Sequence, residues 1–299
     1  MHTFIFKIFM EKEKYAFIIN PISGTKSKKN IQNIAKNILN PRHIEFFYTE
    51  RAGHATELAA QLAAAGYPYV IAVGGDGTVN EVAKGLIHTN TAMGIIPYGS
   101  GNGLARHLKI PLQTKKAIEY LKSGRTTEID YCKANEKIFF CTCGAGFDAQ
   151  ISHEFAMANN RGLKTYVKKT LSTYFNYKAQ KYRLKTSEME MEKEAFLITF
   201  ANASQYGNNA YIAPHADLQD GLLDIAILSE FPLTAIPKLA IQLFSKKIDK
   251  SRYITNFKTE AVTLYRENSG AFHFDGEADI MPDIIEIKVI RNGLKILIS

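Results

Sequence analysis

The sequence predicts an α/β domain built on a doubly wound parallel sheet, followed by a second, mostly antiparallel β domain. Up to Gly124, apolar strand-like runs alternate with helical patterns, which is typical of a parallel sheet covered by helices. After Gly124, strand-like runs follow one another with few helices between them. We expect domains at residues 1–128 and 129–288, with the tail at about 289–299 packing back on the first domain.

The first domain is expected to contain strands and helices in regular alternation. Each strand is a short apolar run, and Gly66 is positioned as a helix C-cap. The predicted order is strand Tyr15–Asn20, helix from Thr25 through Leu39, strand Ile44–Thr49, helix Gly53–Gly66, strand 69–73, helix to Ile87, strand Met93–Ile96 and helix Thr114–Ser123.

The stretch Val70–Glu81 indicates a phosphate-binding turn. A buried strand ends in glycines at 74, 75 and 77, where the backbone can approach a ligand closely, and a helix start follows. Thr78 with Glu81 three residues later fits a capping box. The one carboxylate in the turn, Asp76, is suited to hold magnesium or its waters beside a phosphate.

Two further turns follow strands of the same predicted sheet. Asn20-Pro21-Ile22-Ser23-Gly24 comes after the first strand, and a glycine-rich turn at residues 99–103 comes after the fourth. Because ligands bind outside the carboxyl ends of strands in open α/β sheets, we expect the three turns to converge on one crevice. A plain strand-to-helix connection is the alternative for each turn taken singly.

The second domain is expected to be rich in β-structure, with its cysteines buried as apolar thiols. Three clustered cysteines without a secretion signal indicate a reducing, cytoplasmic setting, and no second ligand pair supports a zinc site. Cys141 and Cys143 should share one strand face. The predicted strands are Thr127–Ala134, Lys137–Cys143, 195–202, 222–228, 259–265, 271–275 and 284–290.

The formal net charge of +8 over 299 residues favours an anionic partner. Eight basic and no acidic residues lie between Arg161 and Lys185, and apolar residues at helical spacing accompany them, from Leu163 to Phe175. A helix packed by its apolar face and a helix at an anionic membrane surface both fit this pattern. Nucleic acid is disfavoured because no base-reading module accompanies the patch. The leader Met1–Met10 is too short to span a bilayer.

Six ordered motifs resemble those of the diacylglycerol kinase catalytic-domain superfamily, which also holds sphingosine kinases and bacterial soluble lipid kinases. They extend over most of the chain, and their order is more specific than any single motif. The motifs are Asn20-Pro21-x-Ser23-Gly24, Gly74-Gly75-Asp76-Gly77-Thr78-x-Asn80-Glu81, Gly99-Ser100-Gly101-Asn102-x-x-Ala105-Arg106, Gly144-x-Gly146-Phe147-Asp148-Ala149, Ala213-Pro214-x-Ala216-Asp217-x-x-Asp220-Gly221-x-Leu223-Asp224 and Asp275-Gly276-Glu277.

The resemblance implies an NAD kinase/diacylglycerol kinase-like first domain, a β-sandwich second domain, and ATP- and Mg²⁺-dependent phosphorylation of a lipid hydroxyl. It implies Glu277 or Asp275 as general base, and magnesium held by Asp76, Asp130 and Asp275. It also implies a structural cation at Asp220 and the carbonyls of Asp217 and Leu222. The implied ATP-binding residues are Asn20, Pro21, Ser23, Gly24, Thr49, Gly74, Gly75, Asp76, Gly77, Thr78, Asn80, Ser100, Gly101 and Asn102.

The acceptor and partners are less closely specified. Gly103 stands where many bacterial diacylglycerol kinases carry Asp, and the Gly-Ser-Gly-Asn form is similar to that of sphingosine kinases. A lipid acceptor, peripheral contact with an anionic membrane and a homodimer are the expected partners. An NAD kinase-type phosphotransferase and a catalytically inactive regulator are the alternatives, and the intact Asp76, Asp275 and Glu277 argue against the regulator.

Overall fold

The computed structural model describes residues 14–24, 28–122, 124–156, 173–174 and 176–299. The leader Met1–Met10 and most of the basic helix predicted from Leu163 lie outside these residues. The chain divides into two compact units, Met1–Ile129 with Asn292–Ser299, and Asp130–Arg291. No helix in the described part of the chain is long and apolar enough to cross a bilayer.

The first unit contains a parallel sheet with helices, as the alternating pattern predicts. Strand β1 pairs in parallel with both β2 and β3, and β3 pairs with β4. The chain returns to this unit at its end, where Ile296 of β16 lies beside Met93 of β4. The elements are β1 (Tyr15–Ile19), α1 (Ile31–Ile38), β2 (Ile44–Tyr48), α2 (His54–Ala64), β3 (Tyr69–Gly74), α3 (Asp76–Leu86), β4 (Ala92–Pro97), α4 (Gly103–His107) and α5 (Thr114–Leu121).

The ends of two helices show how local sequence sets the element bounds. Gly66 adopts a left-handed φ of 79° just after α2, and Tyr67 N–H bonds to the carbonyl of Leu62, so the C-cap prediction is confirmed. Of the helix predicted from Thr25 through Leu39, residues 25–27 lie outside the described residues and 28–30 are not helical, so the described helix α1 begins at Ile31. Its N-cap position is held by Asn30, a residue type favoured there, although the Asn30 side chain makes no capping hydrogen bond.

The second unit contains two antiparallel sheets, so the predicted fold class is confirmed. One sheet has the order β12-β11-β10-β7-β14-β15, and in the other β16, β13, β8 and β9 are paired in that order. The elements are β5 (Arg125–Ala134, which begins in the first unit), β6 (Lys137–Phe139), β7 (Thr142–Gly146), α6 (Phe147–Ala156), β8 (Gln180–Lys185), β9 (Glu190–Ala195), β10 (Leu197–Ala201), β11 (Leu223–Leu228), α7 (Ile236–Phe244), β12 (Ile254–Thr259), β13 (Ala261–Arg266), β14 (Gly270–Phe274), β15 (Glu277–Met281) and β16 (Ile284–Ile298).

The core of the second unit is formed by residues that alternate along these strands. Phe139, Phe200 and Phe272 are fully buried in one apolar cluster that also contains Cys132 and Cys143. The prediction of buried, unbridged thiols is therefore confirmed, and Cys141 is buried as well. Burial raises the pKa of Cys132 and of Cys143.

The prediction of one continuous strand over Lys137–Cys143 is wrong. Strand β6 ends at Phe139 and β7 begins at Thr142, so Cys141 precedes the strand that carries Cys143. The two strands also have different partners, because β6 pairs with β5 in one sheet and β7 pairs with β10 and β14 in the other. The sequence pattern also did not reveal strands β8, β9, β12 and β15 or helices α4, α6 and α7.

Candidate functional site

Asp76, at the start of α3, binds the glycine turn that follows β4. Its Oδ2 accepts the N–H of Asn102 at 2.9 Å, and its Oδ1 accepts the N–H of Gly103 at 2.7 Å. These two donors lie at the beginning of α4, where backbone N–H groups have no helical partner. The carboxylate therefore joins the turns after β3 and β4 across 26 or 27 residues of sequence.

Asn102 closes the second glycine turn on itself. Its side chain accepts the N–H of Gly99 at 2.9 Å and donates to the carbonyl of Gly99 at 2.7 Å. Its φ of 51° is left-handed, a conformation that Asn tolerates better than most residues. A Cβ on Gly99 would lie 2.8 Å from the Cα of Gly75, and one on Gly101 would lie 2.8 Å from Oδ2 of Asp76. The two turns are thus in backbone contact and require glycine there.

The first predicted turn, Asn20–Gly24, joins the same group. Asn20 Nδ2 donates to Thr78 Oγ1 at 3.2 Å, and Asn20 Oδ1 accepts the N–H of Ile22 at 3.1 Å. Gly24 has a φ of 72°, and any Cβ there would collide with the carbonyl oxygen of Tyr98. The structure therefore brings the three turns together within the first unit, as the strand pattern predicts.

Lys28 is a cation beside these turns that the sequence motifs did not single out. Its ammonium donates to the carbonyl of Ser23 and lies 5.0 Å from the centre of the Tyr98 ring. Burial lowers the pKa of Lys28. The only sequence signal was its place in a short lysine-rich segment that follows a strand end, a position where a cation can meet a phosphate.

The remaining predicted ATP-binding residues differ in exposure. Thr49 follows β2 and is buried, with its N–H bonded to the carbonyl of Ile19 at 3.0 Å. Asn80 is buried on α3, whereas Ser100 is exposed at the tip of its turn. Pro21 is also exposed. Thr49 and Asn80 are thus covered by the protein, whereas Ser100 and Pro21 are accessible to a ligand.

The capping box predicted for Thr78 and Glu81 is wrong. Helix α3 begins at Asp76 with Gly75 as N-cap, and Thr78 accepts a hydrogen bond from Asn20 instead. Glu81 caps the preceding helix, because its two oxygens accept the N–H groups of Gly53 at 2.9 Å and Ala55 at 3.1 Å. Glu81 thus binds backbone N–H groups far away in the sequence and not the N–H at the start of its own helix.

Asp275, in the second unit, is held by three consecutive backbone donors. Its Oδ2 accepts the N–H of Phe140 at 2.9 Å, and its Oδ1 accepts those of Cys141 at 2.8 Å and Thr142 at 3.0 Å. Its own N–H donates to the carbonyl of Thr142 at 2.8 Å. These bonds connect the segment between β6 and β7 to the β14–β15 turn, where Asp275 and Gly276 have φ values of 51° and 88°.

Glu277 differs from Asp275 in its environment. It is exposed and opens β15, where it pairs with Phe274 across the hairpin. Among the residues that the structure describes, no hydrogen bond or ion pair is recorded for its carboxylate. Asp275 therefore anchors the turn, and the carboxylate of Glu277 is the more accessible of the two.

A polar network that includes Asp148 lies in the same unit. Asp148 Oδ2 is 3.0 Å from His273 Nε2 and accepts the hydroxyl of Tyr206 at 3.0 Å. His273 is buried on β14, two residues before Asp275, and its Nδ1 has no partner within the described structure. The motif containing Asp148 was recognised, but its partners His273 and Tyr206 are distant in sequence and carried no local signal.

Asp130 is almost fully buried near the start of the second unit. Its Oδ2 accepts the N–H of Gly221 at 2.8 Å, and its carbonyl accepts Asn202 Nδ2 at 3.0 Å. Its carboxylate therefore orders the Asp217–Leu223 turn. The magnesium role implied for Asp130 stays a prediction.

The turn predicted to bind a structural cation already contains a charged partner. Lys258 Nζ lies 2.8 Å from Asp220 Oδ2 and 3.1 Å from Asp224 Oδ2, and it donates to the carbonyl of His215 at 3.2 Å. Burial raises the pKa of Asp224, and the Lys258 ammonium opposes that rise. These residues do not fit a divalent cation, because a lysine ammonium neutralises the carboxylates that the cation would need.

Two side-chain oxygens of this turn accept backbone N–H groups within it. Asp217 Oδ1 accepts the N–H of Gln219, and Asp220 Oδ1 accepts that of Leu222, each at 3.0 Å. Within the described ranges, no group of three or more His, Cys, Asp or Glu side chains is placed to hold a metal. The Lys258 contacts argue against the cation site implied for Asp217, Asp220 and Leu222, and that site stays a prediction until chelation tests it.

A polar groove of about 560 Å³ lies elsewhere in the second unit, on β8, β9 and β13. Its walls include Arg183, Glu192, Lys193 and Arg266, and it contains no residue of the six motifs. The Arg266 guanidinium in this wall donates to backbone carbonyls of the β14–β15 hairpin, including that of Gly270 at 3.0 Å. Arg266 therefore supports the hairpin from the wall of this groove.

The paired glycine turns and the anchored Asp-Gly-Glu hairpin occur in a chain that belongs to the diacylglycerol kinase-like lipid kinase family. Residues 14–134 match the diacylglycerol kinase catalytic domain. Residues 141–297 match the YegS C-terminal NAD kinase beta sandwich-like domain.

Similar proteins include two whose names state a kinase activity. A probable lipid kinase YegS-like protein of Yersinia enterocolitica is 28% identical over 277 residues, which is 89% of this chain and 91% of that protein. A diacylglycerol kinase of Bacillus subtilis is 27% identical over 274 residues, 87% and 88% of the two chains.

Solved structures show the same fold at lower identity. A diacylglycerol kinase of Bacillus anthracis has a TM-score of 0.73 at 20% identity, covering 96% of this chain and 97% of that one. An NAD kinase from Archaeoglobus fulgidus, solved in complex with ATP, has a TM-score of 0.53 at 12% identity, covering 95% and 93%.

Proposed function

We propose that this chain transfers the γ-phosphate of ATP to the hydroxyl of a lipid. The observation that carries the proposal is that the two carboxylates of the Asp275-Gly276-Glu277 turn differ in hydrogen bonding and in exposure. Asp275 accepts three backbone N–H groups and fixes the turn, while Glu277 is exposed. A general base needs an accessible carboxylate that a rigid neighbour positions.

ATP binding is assigned to the three joined turns of the first unit. Glycine turns at helix starts present unpaired N–H groups that suit phosphate oxygens. Lys28, beside the turn at Ser23, adds a positive charge. Phosphoryl transfer depends mainly on positioning and charge neutralisation, which N–H groups and a cation supply.

Magnesium is the metal that the proposed reaction requires, and Asp76 fits it. Its carboxylate is a hard oxygen ligand with about four lone-pair sites, of which Asn102 and Gly103 occupy two. When bound, the ion would neutralise charge on the phosphates, and Asp76 would hold it or its waters. Asp130 and Asp275 are the further proposed ligands, although their carboxylates already accept backbone N–H groups.

The proposed reaction then balances without another reactant. The lipid hydroxyl oxygen forms a bond to the γ-phosphorus as the bond to the β-phosphate oxygen breaks. The hydroxyl proton passes to Glu277, and ADP leaves. Asp275 acts as a positioning residue, because its carboxylate is occupied by the N–H groups of the 140–142 segment.

The acceptor is proposed to be a diacylglycerol or a sphingoid base. The names of the relatives favour the first, and Gly103 after the Gly-Ser-Gly-Asn turn favours the second. Labelled ATP with Mg²⁺ and separate panels of diacylglycerol, sphingoid bases, other lipids and NAD would identify it. Transfer to a lipid supports the proposal, while transfer to NAD alone, or to none of these acceptors, would overturn it.

A further inference from the structure

Helix α7 and the turn before it present an apolar stripe to solvent. The stripe comprises Leu233, Pro237, Ile241 and Phe244, which recur at intervals of one helical turn. Leu233 is 47% exposed, Ile241 69% and Phe244 57%. Side chains of this size are rarely left exposed together on one face unless that face has a partner.

The opposite face of α7 already has its packing partners. Leu239 is buried in a cluster with Phe196, Leu197, Leu228 and Ile248, and Leu243 packs partly against the same cluster. The backbone of α7 is also hydrogen-bonded to the rest of the unit, since the carbonyl of Leu243 accepts the N–H of Tyr211 at 3.0 Å. The helix is therefore held by its inner face, and the stripe is not needed for that packing.

The charged residues within the segment that carries the stripe are lysines, and the acidic residues Glu230 and Asp249 lie just outside it. From Phe231 to Ile248 there are three lysines, Lys238, Lys246 and Lys247, and no acidic residue. All three are exposed, and Lys246 Nζ lies 4.5 Å from the centre of the Tyr211 ring. An apolar face flanked by lysines on a short helix and in the turn after it is typical of an interfacial membrane helix.

We propose that the α7 stripe docks on the surface of an anionic lipid bilayer. In this arrangement Leu233, Ile241 and Phe244 enter the boundary between headgroups and acyl chains, while the lysines contact lipid phosphates. A second copy of the chain fits less well, because a two-fold contact would place the same cationic surface against itself. The choice of occupant rests on the proposed lipid kinase function, and the surface itself rests on exposure and charge.

The test is vesicle binding of the purified full-length chain without ATP. The vesicles are phosphatidylcholine alone, or phosphatidylcholine mixed with phosphatidylglycerol. We expect wild type to prefer the anionic vesicles and the Ile241→Asn/Phe244→Asn variant to bind them at least tenfold less. Lys238→Gln/Lys247→Gln should weaken binding to anionic vesicles only.

Matched controls separate the stripe from general surface effects. Ile284→Asn removes another exposed apolar side chain, and Lys115→Gln/Lys116→Gln removes two exposed charges from α5. Both controls should bind vesicles like wild type. Equal binding by wild type and the stripe variant would overturn the proposal, as would loss of self-association in that variant without any change in vesicle binding.

Transfer to lipid dispersed in detergent micelles distinguishes this proposal from the kinase proposal. The stripe variant should retain wild-type activity in micelles and lose it on anionic vesicles. Absence of any transfer by wild type in micelles would overturn the kinase function and leave the vesicle result standing. Equal loss of activity in micelles and vesicles would show that the stripe supports the fold, and would overturn the docking surface.

Discussion

Asp275 and Cys141 are joined by a hydrogen bond of 2.8 Å, in which the backbone N–H of Cys141 donates to the Asp275 carboxylate. The bond spans 134 residues of sequence and is flanked by two others, from Phe140 and Thr142. It connects the end of β6 and the start of β7 to the turn that carries Glu277. The exposed carboxylate of Glu277 is thus positioned by the hydrogen-bonded carboxylate of Asp275.

Replacing Asp275 by Asn should destabilise the protein by about 2–4 kcal/mol. Hydrogen bonds to a charged group contribute about 1.5–3 kcal/mol each, and Asn keeps one acceptor oxygen while it turns an NH₂ group toward backbone donors. Asn also tolerates the left-handed φ of 51°, so the loss reports the hydrogen bonds and not the turn. Urea denaturation measures it, and a change below about 0.5 kcal/mol, the usual range for surface substitutions, would refute the anchoring role.

Alanine at Gly99 should weaken binding of Mg-ATP at least about tenfold, or about 1.4 kcal/mol. The added Cβ would lie 2.8 Å from the Cα of Gly75 and 3.0 Å from Asn102 Oδ1, so the two turns would have to separate. Gly270→Ala is the matched control, because its Cβ meets only Arg266 Nη1 at 3.7 Å. Calorimetric titration with Mg-ATP measures the affinity of each variant. Unaltered affinity in Gly99→Ala would contradict the assignment of this turn to the nucleotide site.

Removal of divalent cations should leave the stability of the nucleotide-free wild type unchanged. Lys258 already neutralises Asp220 and Asp224, so EDTA has no cation to withdraw from that turn. Lys258→Met should lose about 1–2 kcal/mol, less than for a fully buried pair because the three groups are partly exposed. Thermal unfolding with EDTA or Mg²⁺ is the measurement. A magnesium-dependent rise in the wild-type melting temperature that Asp220→Asn abolishes would show a bound cation instead.

The three cysteines should resist Ellman's reagent in the native protein at pH 8 and react after denaturation. Burial raises the pKa of Cys132 and Cys143 above the ordinary value of 9.0. A raised folded-state pKa gives stability that is present below pH 9 and is lost as the pH rises through the folded value. The Cys132→Ala/Cys143→Ala variant should therefore show a smaller alkaline loss of stability. Rapid native labelling, or an identical alkaline profile, would contradict the buried-thiol account.

The sequence predicted best what depends on neighbouring residues. The strand Tyr69–Gly74, its glycine turn and the alternation of the first unit follow from short patterns, because strand burial and glycine turns are local requirements. The order of the six motifs gave the family. The convergence of the three turns followed from the rule for strand ends in parallel sheets.

What the sequence did not predict depends on partners far away in the chain. Glu81 fits a local capping box, yet it caps α2 through Gly53, 28 residues earlier. Lys258 lies 38 residues from Asp220, and no local pattern marks it as the cation of that turn. The apolar stripe of α7 was missed because outward and inward apolar faces give the same periodicity, and only burial distinguishes them.

The most direct measurement of the central claim compares Glu277→Gln with wild type and with the exposed control Glu267→Gln. Each protein is incubated with labelled ATP, Mg²⁺ and the acceptor lipid, and its Mg-ATP affinity and melting temperature are measured in parallel. Loss of a general base should slow transfer about 10²–10⁴-fold, while affinity and melting temperature stay at wild-type values and the control transfers normally. Wild-type transfer by Glu277→Gln would contradict the account.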